Sequence, residues 1–123
     1  MYGNCKVKDL IGQTMASVVN KDNIEVIFTT TEGQKYKMNH SQDCCESVSI
    51  TNIDGDLSNL VDSVILEAEE EVHGKQDEMY PVDSGDSFTW TLYRFATAKG
   101  RVIISWLGVS NGYYSESVDL WKE

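Results

Sequence analysis

The sequence predicts a mainly β protein (α+β with minor helix): a single antiparallel β-rich domain over residues 1–123, with about six to seven strands and one or two short helices. Two observations lead to this fold class. Apolar residues recur at every second position through most of the chain, which is the period of a strand with one buried face. The strand-like runs also follow one another through short turns, without the strand-helix-strand alternation of a parallel sheet.

The first elements are a lead-in and a hairpin. Residues 1–23 are typical of a short helical turn or an edge strand. Residues 24–30 and 36–39 alternate as strands and flank a turn over 31–34, where Gly33 supplies the positive φ that a tight reversal needs. Residues 45–53 predict a third strand, with a slip in the alternation at Asn52.

A short helix and a further strand follow. Asp54 or Asp56 can cap a helix over residues 56–61, because Leu57 and Leu60 fall three positions apart at the spacing of one helix face. Residues 64–72 favour a strand, since they start with β-branched residues and then alternate apolar with acidic ones. Residues 73–86 contain the sole proline and have the composition of a loop.

The last third carries the clearest strand patterns. Residues 87–97 and 101–107 alternate cleanly and are joined at 98–100. Ser110-Asn111-Gly112 predicts a turn, and residues 113–121 a final strand. Adjacent residues of a strand face opposite sides, so one of the rings of Tyr113 and Tyr114 should be exposed and available as an interface anchor.

The negative charge is concentrated in the middle of the chain. Residues 43–86 carry 13 acidic groups and 1 basic group, within a net charge of -10 for the whole sequence. Such a segment repels DNA, RNA and anionic membranes, so we expect no direct nucleic-acid or membrane binding and a partner protein with a basic surface. Solubility is the simpler explanation of the same acids. The residues predicted to bind the partner are Asp54, Asp56, Glu67, Glu69, Glu70, Glu71, Asn111, Tyr113 and Tyr114.

The sequence favours a cytoplasmic protein with reduced thiols. No apolar run reaches the roughly 20 residues that span a bilayer, and the first residues lack the layout of a signal peptide. Three cysteines, two of them adjacent, do not form a disulfide framework, and a bridge between neighbours is strained. The oligomeric state is left open, with a homodimer among the alternatives.

The reactive side chains cluster in residues 40–47. A thiolate of Cys44 or Cys45 beside the imidazole of His40 could act as a nucleophile, but Asp43 and Glu46 flank the pair and would raise the thiol pKa. Structural packing is the favoured interpretation, with one cysteine in the core and the other partly exposed, as in a strand.

Metal sites lack their usual spacing. Zinc would need His40, Cys44 or Cys45, Cys5 and His73 to be gathered from distant segments. The acids at 54, 56 and 67–71 do not follow the ligand pattern of an EF-hand loop, so a solvated acidic face explains them better. We therefore predict no metal, no cofactor and no enzymatic activity, and keep a metal-binding or cysteine-dependent enzyme as an alternative.

A family resemblance rests on the doubled cysteine and on the Asn-Gly-Tyr-Tyr-Ser-Glu stretch at 111–116. Together with shorter matching runs between residues 7 and 121, these motifs resemble a family of small acidic proteins of unknown function, encoded by bacteriophages, prophages and their bacterial hosts. The matching runs are 40–48, 54–57, 68–70, 88–93 and 108–118.

The resemblance implies a phage setting, in which small acidic proteins often block host defences. The predicted function is therefore a counter-defence inhibitor in the cytoplasm of the infected bacterial host. Its acidic surface would mimic a nucleic acid and bind a host protein such as a CRISPR or restriction nuclease. The alternative is a sponge for a small nucleotide immune signal, which would need Arg94, Lys99 and Arg101 to line its pocket.

Overall fold

The chain forms two antiparallel β-sheets in the computed structural model, which describes residues 3–74, 87–111 and 114–123. The mainly β, antiparallel prediction is confirmed. The described residues contain nine strands, more than predicted, because the lead-in contributes two strands of its own. The strands are β1 (Gly3–Cys5), β2 (Met15–Lys21), β3 (Glu25–Thr30), β4 (Lys35–Asn39), β5 (Ser47–Asp54), β6 (Glu67–Gly74), β7 (Ser87–Thr97), β8 (Gly100–Ser110) and β9 (Asp119–Lys122).

Helix in the described residues is limited to two 3-10 turns, at Val7–Leu10 and Leu57–Leu60. The second lies where the short helix was predicted. Asp56 caps it, because its carboxylate accepts a hydrogen bond from the Ser58 N–H at 2.9 Å. No helix among these residues has the length and apolar character needed to cross a membrane.

The five-stranded sheet has the order β1-β9-β4-β3-β2. Its centre is the predicted hairpin of β3 and β4, where Gly33 adopts a φ of 92° and donates its N–H to the Thr30 carbonyl at 2.9 Å. Side chains at alternate positions of these strands, such as Val26, Phe28 and Met38, are fully buried. One face of this sheet therefore forms half of the core.

The four-stranded sheet has the order β5-β8-β7-β6, so β5 and β6 are its two edges. The predicted slip in β5 is present as a register shift between Ile50 and Asn52. The loop predicted over 73–86 is wrong at its start, because His73 and Gly74 still pair with β7. The rest of that loop lies outside the described residues.

The two sheets face each other across one hydrophobic core. The rings of Phe28 in β3 and Phe95 in β7 approach with centroids 5.5 Å apart. Tyr93 and Trp106, from β7 and β8, are fully buried on the same inner face. The opposite face of the four-stranded sheet is called the outer face below.

The end of the chain differs from the predicted strand over 113–121. Strand pairing begins only at Asp119, in β9. Residues 114–118 cross the end of the molecule without strand structure, because Glu116 is drawn onto β8 instead of pairing in a ladder. Tyr113 lies outside the described residues.

Candidate functional site

Residues 40–46 form a loop between β4 and β5, and β5 starts at Ser47 rather than at the predicted Cys45. The backbone bends at Cys44 and Cys45, and both residues are exposed. The expectation of one buried cysteine is therefore wrong, because the alternation of a strand does not apply in a bend.

Glu46 is the buried anchor of this loop, and its side chain has no exposed area. One carboxylate oxygen accepts the Asp43 N–H at 2.8 Å, and the other accepts the Cys44 N–H at 2.9 Å. Burial acts to raise the pKa of Glu46, but the hydrogen bonds from Cys44, His40 and Asp43 outweigh it and lower the pKa to about 2. Glu46 is therefore ionised at neutral pH.

His40 connects this anchor to the end of the chain. Its Nε2 lies 2.7 Å from the Glu46 carboxylate, and its Nδ1 lies 2.6 Å from the Ser117 carbonyl oxygen. A carbonyl and an ionised carboxylate can only accept hydrogen bonds, so both ring nitrogens must donate. This arrangement requires the imidazolium form of His40, which makes a buried ion pair with Glu46. We call residues 40–46 and 114–118 together the clamped end.

The ion pair weakens the nucleophile hypothesis. Both nitrogens of His40 are already donating, so neither is placed to accept a proton from a cysteine. The charge of Glu46, which was expected to raise the thiol pKa, is compensated by His40. The remaining exposed charge beside the cysteines belongs to Asp43.

Cys44 and Cys45 are joined by a disulfide, so the expectation of reduced thiols does not describe this structure. Both main-chain N–H groups at 43 and 44 turn inward to Glu46, which leaves the two cysteine side chains outside the clamp. Cys5 is free, and burial raises the pKa of its thiol. No group of three or more histidines, cysteines and acids among the described residues is arranged to hold a metal, so the zinc ligands considered from sequence are not gathered.

Glu116 is a second buried acid of the clamped end that sequence reasoning missed. It accepts hydrogen bonds from the hydroxyls of Thr89, at 2.8 Å, and Ser110. Gly108 lies directly beneath it, because a Cβ there would stand 2.7 Å from the Cβ of Glu116. The only sequence signal is that the residue lies within the Asn-Gly-Tyr-Tyr-Ser-Glu stretch, and that motif does not reveal burial.

A cleft of about 540 Å³ opens beside this segment, between β1, the first 3-10 turn and β6. It brings together the carboxylates of Glu70, Glu116 and Asp119, with Lys6 and Lys8 on the opposite wall. Sequence reasoning identified only Glu70 of these five residues as a candidate.

The three basic residues proposed for a nucleotide pocket lie away from this cleft. Arg94 donates to Glu71 at 2.7 Å, Lys99 donates to the Val61 carbonyl at 2.8 Å, and Arg101 lies 3.8 Å from Glu67. None of the three lines the cleft. No observation therefore favours the nucleotide sponge.

The acidic residues of β6 divide between two faces. Glu67, Glu69 and Glu71 lie on the outer face, and Glu70 points to the other side with Tyr93. Hydrogen bonds from Arg94 and then His73 lower the pKa of Glu71. Burial and the neighbouring carboxylate of Glu70 raise the pKa of Tyr93. We call β6, the free edge that carries these glutamates, the acidic edge.

The other predicted binding residues do not join this edge. Asp54 shares a cross-strand row with Glu69, but β8 and β7 lie between them, at three strand spacings or about 14 Å. Asp56 caps the second 3-10 turn, and the Ser58 N–H lowers its pKa. Asn111 and the half-buried Tyr114 lie near the clamped end. The predicted set therefore forms separate groups rather than one patch.

The fold and these sites define a two-sheet antiparallel β protein with a clamped loop at one end and an acidic edge on one sheet. The chain belongs to a family described as a domain of unknown function, DUF7448, which matches residues 8–120. No curated protein and no solved structure matches the chain. The family assignment supports a common fold for this segment and carries no activity.

Proposed function

We propose that this chain is a non-enzymatic binding protein whose acidic edge engages a basic surface on a partner protein. The observation that carries the proposal is the placement of Glu67, Glu69 and Glu71 on one face of an edge strand. Glu67 and Glu69 are exposed and Glu71 is half-buried. A row of carboxylates at strand spacing presents negative charge along a line, as the phosphates of a nucleic-acid backbone do.

The arginines of this face compensate only part of the charge. Arg94 pairs with Glu71 and Arg101 approaches Glu67. Glu69 and Glu70 make no ion pair with any residue in the described part of the chain. Because exposed pairs of this kind are screened by water, the acidic edge keeps a net negative field that can steer a basic partner.

The sheet face beside the acidic edge offers apolar area. Leu92, Ile103 and Leu107 lie on the outer face and are half-buried. Interfaces commonly combine an apolar centre with a charged rim, and this face has that arrangement. Electrostatic attraction would then set the rate of association, and apolar contact would set the rate of dissociation.

The phage setting and the nature of the partner belong to the same proposal. They rest on the resemblance to small acidic phage proteins, which favours a host defence protein such as a CRISPR or restriction nuclease. Such enzymes carry basic grooves for nucleic acid, which an acidic edge would fit. The complex would form in the cytoplasm of the infected bacterium.

The test is a pull-down from bacterial host lysate at low and at moderate salt, with the wild type beside E67Q/E69Q/E70Q/E71Q. We expect the quadruple variant to lose the basic partner, and association measured with the purified pair to slow about tenfold at low salt. The difference between the two proteins should shrink as salt rises, because screening removes the steering.

A matched control neutralises four acids on the five-stranded sheet, D22N/E25Q/E32Q/E123Q. It changes the net charge by the same amount, and the glutamine that replaces Glu25 can still accept the hydrogen bond that Asn39 donates there at 2.9 Å. It should bind as the wild type does. Identical partner profiles for the wild type and the acidic-edge variant would show that β6 is only a solvated face.

A further inference from the structure

The Cys44–Cys45 bond lies at the protein surface. Both cysteines are exposed, as are Ser41, Gln42 and Asp43 before them. Disulfides exchange when a thiolate reaches one of the two sulfurs, so access controls whether a bond can react in the folded protein. This bond can be approached from solvent without unfolding.

The loop is held by contacts that do not involve the sulfurs. Glu46 binds two main-chain N–H groups and His40, and the Gln42 side chain donates to the Glu46 carbonyl at 2.7 Å. A bond between adjacent residues also closes a minimal loop, so it restricts the unfolded chain far less than a long-range disulfide. The bond is therefore not needed to stabilise the fold, and the loop can keep its shape when the bond is reduced.

We propose that Cys44 and Cys45 form a reversible thiol–disulfide exchange site whose substrate is a dithiol. A thiolate of the dithiol attacks one sulfur, the bond between the cysteines breaks, and the departing cysteine thiolate takes up a proton. The second thiol of the dithiol then attacks the mixed disulfide and releases the other cysteine. Two electrons and two protons pass to the cysteine pair, and the dithiol becomes a disulfide. The reverse sequence oxidises the pair again.

The local charge selects among thiols. The charge of Glu46 is compensated by His40, which leaves the exposed carboxylate of Asp43 beside Cys44. An anionic thiol such as glutathione is repelled by that carboxylate and by the net charge of -10, whereas a neutral dithiol is not. Asp43→Asn should therefore speed reduction by glutathione several-fold and leave reduction by dithiothreitol nearly unchanged.

The experiment equilibrates the folded protein with reduced and oxidised dithiothreitol at different ratios, traps free thiols with N-ethylmaleimide under denaturing conditions, and counts adducts by intact mass. The chain has three cysteines, so the oxidised form should carry one adduct and the reduced form three. We expect a reversible change between these two forms, with an unchanged circular dichroism spectrum. The Cys5→Ser variant should change between none and two.

Single variants identify the bond. C44S and C45S should each carry two adducts at every ratio, because neither can form the pair. Three adducts in the wild type under fully oxidising conditions would overturn the proposal. So would a bond that involves Cys5, which C5S would abolish, or a bond that dithiothreitol reduces only after the protein is unfolded. Equal acceleration of both reductants by D43N would overturn the charge selection.

Discussion

The clamped end and the acidic edge draw on the same acidic stretch, residues 43–86, and use its carboxylates in opposite ways. Glu46 is buried and accepts three hydrogen bonds, two of them from the main chain. Glu69, on β6, is exposed and makes no ion pair within the described part of the chain. Two glutamates of one charged segment therefore differ in whether folding or solvent satisfies them.

This difference shows that charge density alone does not assign a role to an acid. A buried carboxylate with main-chain donors organises the chain around it, because its removal leaves several polar groups unsatisfied. An exposed carboxylate loses little on removal and affects mainly the long-range field. Stability should therefore depend on the clamped end, and association on the acidic edge.

The largest effect on stability is expected from Glu46→Ala. The substitution leaves the Asp43 and Cys44 N–H groups and the His40 imidazolium without their acceptor in a buried site. We expect Tm to fall on the order of 10 °C, measured by thermal unfolding near pH 7. Glu69→Gln on the acidic edge is the control and should move Tm by no more than about 2 °C. Equal shifts for both variants would remove the distinction between the two regions.

A smaller effect is expected from Gly108→Ala. The new Cβ would stand 2.7 Å from the Cβ and 2.8 Å from the main-chain oxygen of Glu116, so the segment 114–118 must move away from β8. We expect a loss of about 1–3 kcal/mol in the free energy of unfolding, measured by urea denaturation. Gly74→Ala lies on β6, where a Cβ meets no atom within 4 Å, and should be close to neutral. A neutral Gly108→Ala would show that the 114–118 segment is not held against β8.

The smallest effect is the acid dependence of the ion pair. The pKa of Glu46 is lowered in the folded protein from 4.5 to about 2, so the folded state binds its proton less readily than the unfolded state. The stabilisation is complete above about pH 4.5 and is lost as the pH falls toward 2. The difference in Tm between the wild type and the double variant H40Q/E46Q should therefore shrink by a few degrees over this range. A constant difference would contradict an ionised Glu46.

Local sequence patterns predicted much of the sheet structure. The β3–β4 hairpin, the slip in β5, the capped turn after Asp56 and the two long strands β7 and β8 all follow from alternation and turn residues. These signals are local, so they survive without knowledge of the tertiary fold. The prediction was poorest where alternation is broken by a buried polar residue, at 44–46 and at 114–118.

By itself, the sequence determined the fold class, the strand periods and the concentration of acids in the middle of the chain. Only the tertiary structure decided which acids are buried, because His40 must meet Ser117 across 77 residues before Glu46 can be enclosed. It also decided that Glu67, Glu69 and Glu71 lie on a free edge, since strand order in a sheet is not encoded in strand period. Burial of a charge depends on donors brought from distant segments, and the pattern of neighbouring residues does not contain that information.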